Sequence, residues 1–204
     1  MTQQCKLQYL YRVLTQYRRK MMVTEVDPFS FCQFLNIVIL EEPDDDLFFA
    51  KEDAYYLIYP DQKSCIVIRH DIAEELKREL LTYMAIRITF VKKFGCDGLI
   101  QTIERGIQME SYILSKHNDY HDLCYEVMCE ALLPSSELPI YLYQQVNAKK
   151  IAALAHRFHV RPEFIVNRLQ GMQKSARGLL SGISISSYKQ SSILDRYLKY
   201  NQHF

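Results

Sequence analysis

The chain predicts an α+β fold: mostly helical, with a small antiparallel sheet near the N-terminal third and a helix-turn-helix-like pair toward the C-terminus. Three observations predict it. Apolar residues recur at helical spacing along most of the chain. NIVIL, DAYYLIY and SCIVIR, rich in β-branched and aromatic residues, are set apart by EEPDDD and PDQK. Residues 151–169, IAALAHRFHVRPEFIVNRL, form two short amphipathic runs broken at His159-Val160.

Each element has its own reason. In CKLQYLYRVLTQYRRKMM, Leu7, Leu10, Tyr11, Leu14 and Tyr17 share a helical stripe. In DPFSFCQFLNI, Asp27 is an N-cap and Pro28 a first-turn residue, so a short helix should end near Leu35. The three β-rich runs follow, joined by turns, hence a small antiparallel sheet. EEPDDD reads as a solvated turn. A calcium loop needs regularly spaced oxygen ligands and a glycine at the bend. DIAEELKRELLTYMAIRITFVKKF opens on carboxylates and closes on lysines before Gly95, matching the helix dipole at both ends. Leu76, Leu80, Tyr83, Met84 and Arg87 share roughly one side of it. Helices are also expected over DGLIQTIERGIQMESYIL, over YHDLCYEVMCEALL with Asp119 as cap and Pro134 as stop, over SSELPIYLYQQV, and over SILDRYLKYN. The Ser- and Gly-containing run QKSARGLLSGISISSYKQSS reads as a loop or linker. One domain over residues 1–172, including the helix pair 147–171, is therefore expected, followed by a linker and short helix over 173–204.

Composition narrows the function. The 204 residues are 49% hydrophobic and 24% charged, with formal net charge +1. Those values fit an ordinary globular chain and leave any nucleic-acid case to local charge. The opening MTQQCKLQYLYRVL does not read as a signal peptide, and no apolar run reaches the roughly 20 residues that span a bilayer. The cysteines, at positions 5, 32, 65, 96, 124 and 129, form no CxxC. They read as small buried hydrophobes in a reducing cytoplasm.

Two constellations carry chemistry. HNDYH puts His117 and His121 four residues apart, one helical turn, with Asp122 and Glu126 following. That spacing suits a metal pair, so a zinc-dependent hydrolase is one alternative. The other reading is a solvent-facing loop at a helix start, with Asn118 or Asp119 capping. In the C-terminal pair, Ile151, Leu154, Ala155, Phe158, Val160, Ile165 and Leu169 make a small core. Arg161, Glu163, Phe164, Asn167 and Arg168 make an outward face, flanked by Lys149, Lys150 and Arg157. Such a face suits phosphate contact and base reading by Asn or Arg, so a DNA-binding regulator is a second alternative. A plain packing unit shares the same pattern.

The order of these pieces resembles the ImmA/IrrE family of zinc metallopeptidases, which act on repressors in mobile elements and stress responses. The carriers are the DPF helix entry, the run ending Leu132-Leu133-Pro134, and the closing segment with Leu154-Ala155, Phe158, Val160 and Arg168-Leu169. The likeness covers roughly residues 5–172. Where the family carries HExxH, this chain reads LLTYMAIRITF, with Met84 to Ile88 at the ligand positions. Asp122 or Glu126 falls near the family's third ligand. A zinc hydrolase needs about three protein ligands and a general base, and apolar side chains supply neither. The resemblance therefore implies a pseudo-protease without a cofactor: a regulator that binds a protein partner, a repressor or other regulator, and does not cleave it.

Overall fold

The computed structural model describes residues 2–42, 53–95, 100–101, 107–112, 116, 120–138 and 146–181, with side chains to 172. The chain divides into two compact units, Met1–Pro134 and Ser135–Phe204.

Unit 1 opens with α1, Gln3–Met21, capped by Thr2, whose hydroxyl accepts from the Cys5 backbone N–H, and closed by Arg18, Arg19 and Lys20. Its buried stripe is Leu10, Leu14 and Tyr17. Helix α2, Pro28–Phe34, begins as expected: the Asp27 carboxylate accepts from the Ser30 N–H at 2.8 Å. Tyr17 holds the two helices together edge-on to Phe31 and Phe34.

The three β-rich runs form β1 (Ile37–Glu42), β2 (Ala54–Ile58) and β3 (Ser64–Arg69). With β4 (Ile100–Gln101) and β5 (Gln108–Ser111), the sheet among the described residues has five strands in the order β1-β3-β2-β5-β4 and is mixed. The antiparallel expectation for the three runs holds for β2 with β3, but β1 runs parallel to β3. The added strand β5 pairs antiparallel with both β2 and β4. The reason lies in β3. Five of its six residues are buried, a pattern suited to an interior strand, so it takes the place between β1 and β2.

A second correction concerns DGLIQTIERGIQMESYIL. It contributes β4, Ile100–Gln101, and β5, Gln108–Ser111, where a helix was expected. Pairing with β2 overrides the helical spacing, and the strand carries Glu110 into the core.

Helix α3, Glu74–Phe94, is the centre of unit 1. Every residue from Leu80 to Ile88 is buried, so its periodicity is that of a helix covered on all sides. Its N-cap is Ala73. Asp71 instead receives a two-pronged ion pair from Arg69, at 3.0 and 2.7 Å. Gly95, at φ 69°, ends it. Helix α4, His121–Leu132, buries Cys124, Val127, Met128, Cys129, Ala131 and Leu132. It is fastened to α1 by Arg18, which donates to the Glu130 carbonyl and pairs with its carboxylate. The expected cap Asp119 lies outside the described residues. Cys32, Cys65, Cys124 and Cys129 are buried thiols as expected, whereas Cys5 is exposed and Cys96 lies outside the described residues.

In unit 2, a 3-10 turn, Ser135–Glu137, stands where a short helix was expected, and residues 139–145 of that stretch are not among those described. Helices α5, Ala148–Phe158, and α6, Pro162–Ser181, meet at His159. Helix α6 runs past the expected end at residue 171, so the stretch read as linker from 173 begins as helix. The expected last helix, SILDRYLKYN, lies outside the described residues. Among the described residues, no helix is long and apolar enough to cross a membrane.

Candidate functional site

Helix α3 and strand β5 bring together a buried polar cluster in the middle of unit 1. Two α3 side chains one turn apart, Tyr83 and Arg87, are fully buried. Glu110 enters from β5 and Tyr56 from β2, neighbours across the antiparallel register on the sheet face toward α3. Arg87 Nε donates to Glu110 Oε2 at 2.8 Å and Nη2 to Oε1 at 3.1 Å. Tyr56 donates its hydroxyl to Glu110 Oε2 at 2.6 Å. The geometry is bidentate, the strong form of an arginine–carboxylate pair. Burial disfavours the guanidinium charge, but the hydrogen bonds and charge of Glu110 outweigh it and hold the Arg87 pKa above its ordinary value.

The cluster continues toward α4. The Tyr83 hydroxyl lies 2.9 Å from His121 Nδ1, and the Tyr83 ring stands edge-on to Tyr112 at 5.2 Å. His121 is half-buried. Burial holds its pKa below the usual imidazole value, with Lys116 and Arg87 adding to the effect against Asp122 and Glu110. The cluster pairs one buried cation with one buried anion and adds two phenols and an imidazole. Arg87 already binds both Glu110 oxygens, so that carboxylate is a poor general base.

The sequence aligned Met84 to Ile88 with the ligand positions of the metallopeptidase helix. Met84 and Ile88 are buried in apolar packing. The pair that faces β5 and α4 is Tyr83 and Arg87, one residue earlier. Of the second metal alternative, His117 lies outside the described residues. His121 turns to Tyr83, Asp122 is exposed, and Glu126 accepts from the Tyr11 hydroxyl at 3.2 Å. Among the described residues, no group of three or more His, Cys, Asp or Glu side chains could hold a metal ion. Glu110 and Tyr56 were not singled out by sequence. Arg87 in an otherwise apolar stripe was the one available signal, since a buried arginine demands a buried anion.

Unit 2 carries the nucleic-acid candidates. Asn147 caps α5, its side-chain oxygen accepting from the Lys150 N–H at 3.0 Å, and Lys149 and Lys150 are exposed in that first turn. His159 makes the turn in the left-handed conformation, φ 49°. Arg157 pairs with Glu137 at 2.7 Å, and Arg168 donates to the Ser135 hydroxyl at 2.8 Å. Arg161 is half-buried and Asn167 exposed. Phe164, expected on the outward face, is 2% exposed. The start of α6 buries Phe164, Ile165 and Val166 in succession, and its open stripe is Glu163, Asn167 and Gln170. No protein-family model matches the chain, and no curated protein matches it.

Proposed function

We propose that this chain is a non-catalytic regulator that binds a protein partner, a repressor or other regulator, through a scaffold shaped like an ImmA/IrrE metallopeptidase. The observation that carries the reading is the ion pair between Glu110 of β5 and Arg87 of α3, the helix that the resemblance sets against HExxH. On that helix an arginine and a tyrosine occupy the inward positions one turn apart, and a guanidinium repels a divalent cation. The carboxylate that meets this pair, Glu110 of β5, is bound by that arginine. What the scaffold retains is then a folded surface, and binding is the activity a surface supports.

Metal analysis of the purified protein tests this. The expected result is no stoichiometric zinc after gel filtration in metal-replete buffer. Tightly held zinc at one equivalent, lost in His121→Ala, would instead favour the hydrolase built on His117, His121, Asp122 and Glu126.

A DNA-reading function draws on the exposed Lys149 and Lys150 and the left-handed turn at His159. It has less support, because Arg157 and Arg168 are engaged within unit 2 and Phe164 is buried. Titration of duplex DNA across salt separates the readings, since phosphate-driven binding weakens steeply as salt rises. The regulator reading predicts no binding at low salt.

A further inference from the structure

Two histidines stand together on unit 2, apart from the candidate site. His156 and His159 lie three residues apart at the C-terminal end of α5, with ring centroids 6.2 Å apart and ring planes at 37°. Residues at this spacing share one face of a helix. Both side chains are exposed. Among the described residues, neither imidazole takes a hydrogen bond or an ion pair, and each has the other as its ring neighbour.

The backbone holds the pair in place. His159 is the C-cap, at φ 49° and ψ 49°, and its N–H reaches the Ala155 and His156 carbonyls. The Val160 N–H reaches the Ala155 carbonyl at 3.1 Å. Phe158 and Val160, on either side of His159, are 2% and 1% exposed, so the turn is anchored from both sides. A left-handed cap ordinarily takes glycine or asparagine. Here it carries an imidazole that adds no burial to the fold.

The chemistry of the pair suits a cation. Imidazole nitrogen is a ligand for nickel, copper and zinc. With metal–nitrogen bonds of about 2.0–2.1 Å, one ion shared by two imidazoles sets their ring centroids roughly 5–6 Å apart. The 6.2 Å spacing reaches that range through a small rotation of two exposed side chains. The C-terminus of α5 is the negative end of its dipole, which favours a cation there. The charge between the two histidines, Arg157, is answered by Glu137 at 2.7 Å.

We propose that His156 and His159 form a two-imidazole site for a divalent late transition-metal ion, with water completing its coordination. Two protein ligands leave the ion exchangeable, whereas structural zinc sites use four. The site does not include His121 and does not rest on the partner-binding reading above.

Calorimetric titration of nickel(II) into the full chain tests it. Nickel is the probe because copper(II) is reduced by an exposed thiol such as Cys5. The expected result is one saturable equivalent in the micromolar range, reversed by EDTA. His156→Gln and His159→Asn are each expected to weaken that binding at least tenfold, the asparagine tolerating the left-handed backbone. Thermal melts without metal establish that both variants are folded, and His159→Gly substitutes for His159→Asn if needed. A wild-type chain with no saturable equivalent in that range overturns the proposal. So does binding undiminished in either variant. Binding that survives both changes and is lost in His121→Ala also overturns it, and favours the hydrolase site instead.

Discussion

Arg87 is the residue on which the interior of unit 1 turns. It is 0% exposed and holds both oxygens of Glu110. A buried pair of this kind does not guarantee net stability, because desolvating two charges costs about as much as their attraction returns. Breaking one half is another matter. Arg87→Met leaves Glu110 charged and buried and is expected to cost about 3–5 kcal/mol, read by urea unfolding. Removing the whole polar group in Arg87→Met/Glu110→Leu/Tyr56→Phe is expected to recover most of that loss. A triple variant no more stable than the single one would mean that the packing around the cluster, and not its charge balance, sets the cost. His121 supplies the pH prediction. Its folded pKa is depressed by burial, so its neutral form is favoured in the fold. The stability it contributes is fully present above its unfolded pKa of about 6.5. That stability is lost as pH falls from there through the lower folded value. His121→Gln, which keeps a hydrogen-bond partner for Tyr83, is expected to flatten the stability–pH curve in that window.

Two predictions belong to helix ends. Gly95 closes α3 at φ 69°, ψ 178°, a region open to glycine and strained for any other residue. No atom within 4 Å would block an added Cβ, so the cost of Gly95→Ala is backbone strain alone, about 1–3 kcal/mol. Urea unfolding reads that loss, and applied to Met22→Gly it is expected to show the opposite sign, a gain of up to about 1 kcal/mol, since glycine relieves the left-handed cap at an exposed position. Element boundaries show how far local rules reach. Asp27 and Pro28 start α2, and carboxylates and lysines bracket α3, because caps and dipoles act within one turn. Residues 100–111 escape such rules. Their spacing fits a helix face, yet β5 forms because an antiparallel partner, β2, and a buried cation, Arg87, are both present. Neither is local in sequence.

For the whole molecule, the metal analysis asks whether the interior of unit 1 holds an ion. The α+β class, the helical majority and the positions of β1 to β3 were legible in the sequence, because hydrophobic period and turn chemistry are written residue by residue. The parallel run of β1 beside β3 was not, since strand order depends on which strand needs two neighbours. Of the candidate site, the sequence offered the absence of HExxH on α3 and an arginine in its apolar stripe. It did not single out Tyr83 and Arg87 as the pair that meets β5 and α4, because a helix buried on every side gives no polar face to fix its rotation. The sequence by itself thus determined most of the helices, the first three strands and the cap that opens α2. Tertiary structure alone decided that Arg87 meets Glu110, that His121 turns to Tyr83, and that Phe164 faces inward. Long-range partners are chosen by burial and charge balance in three dimensions, which no spacing along the chain encodes.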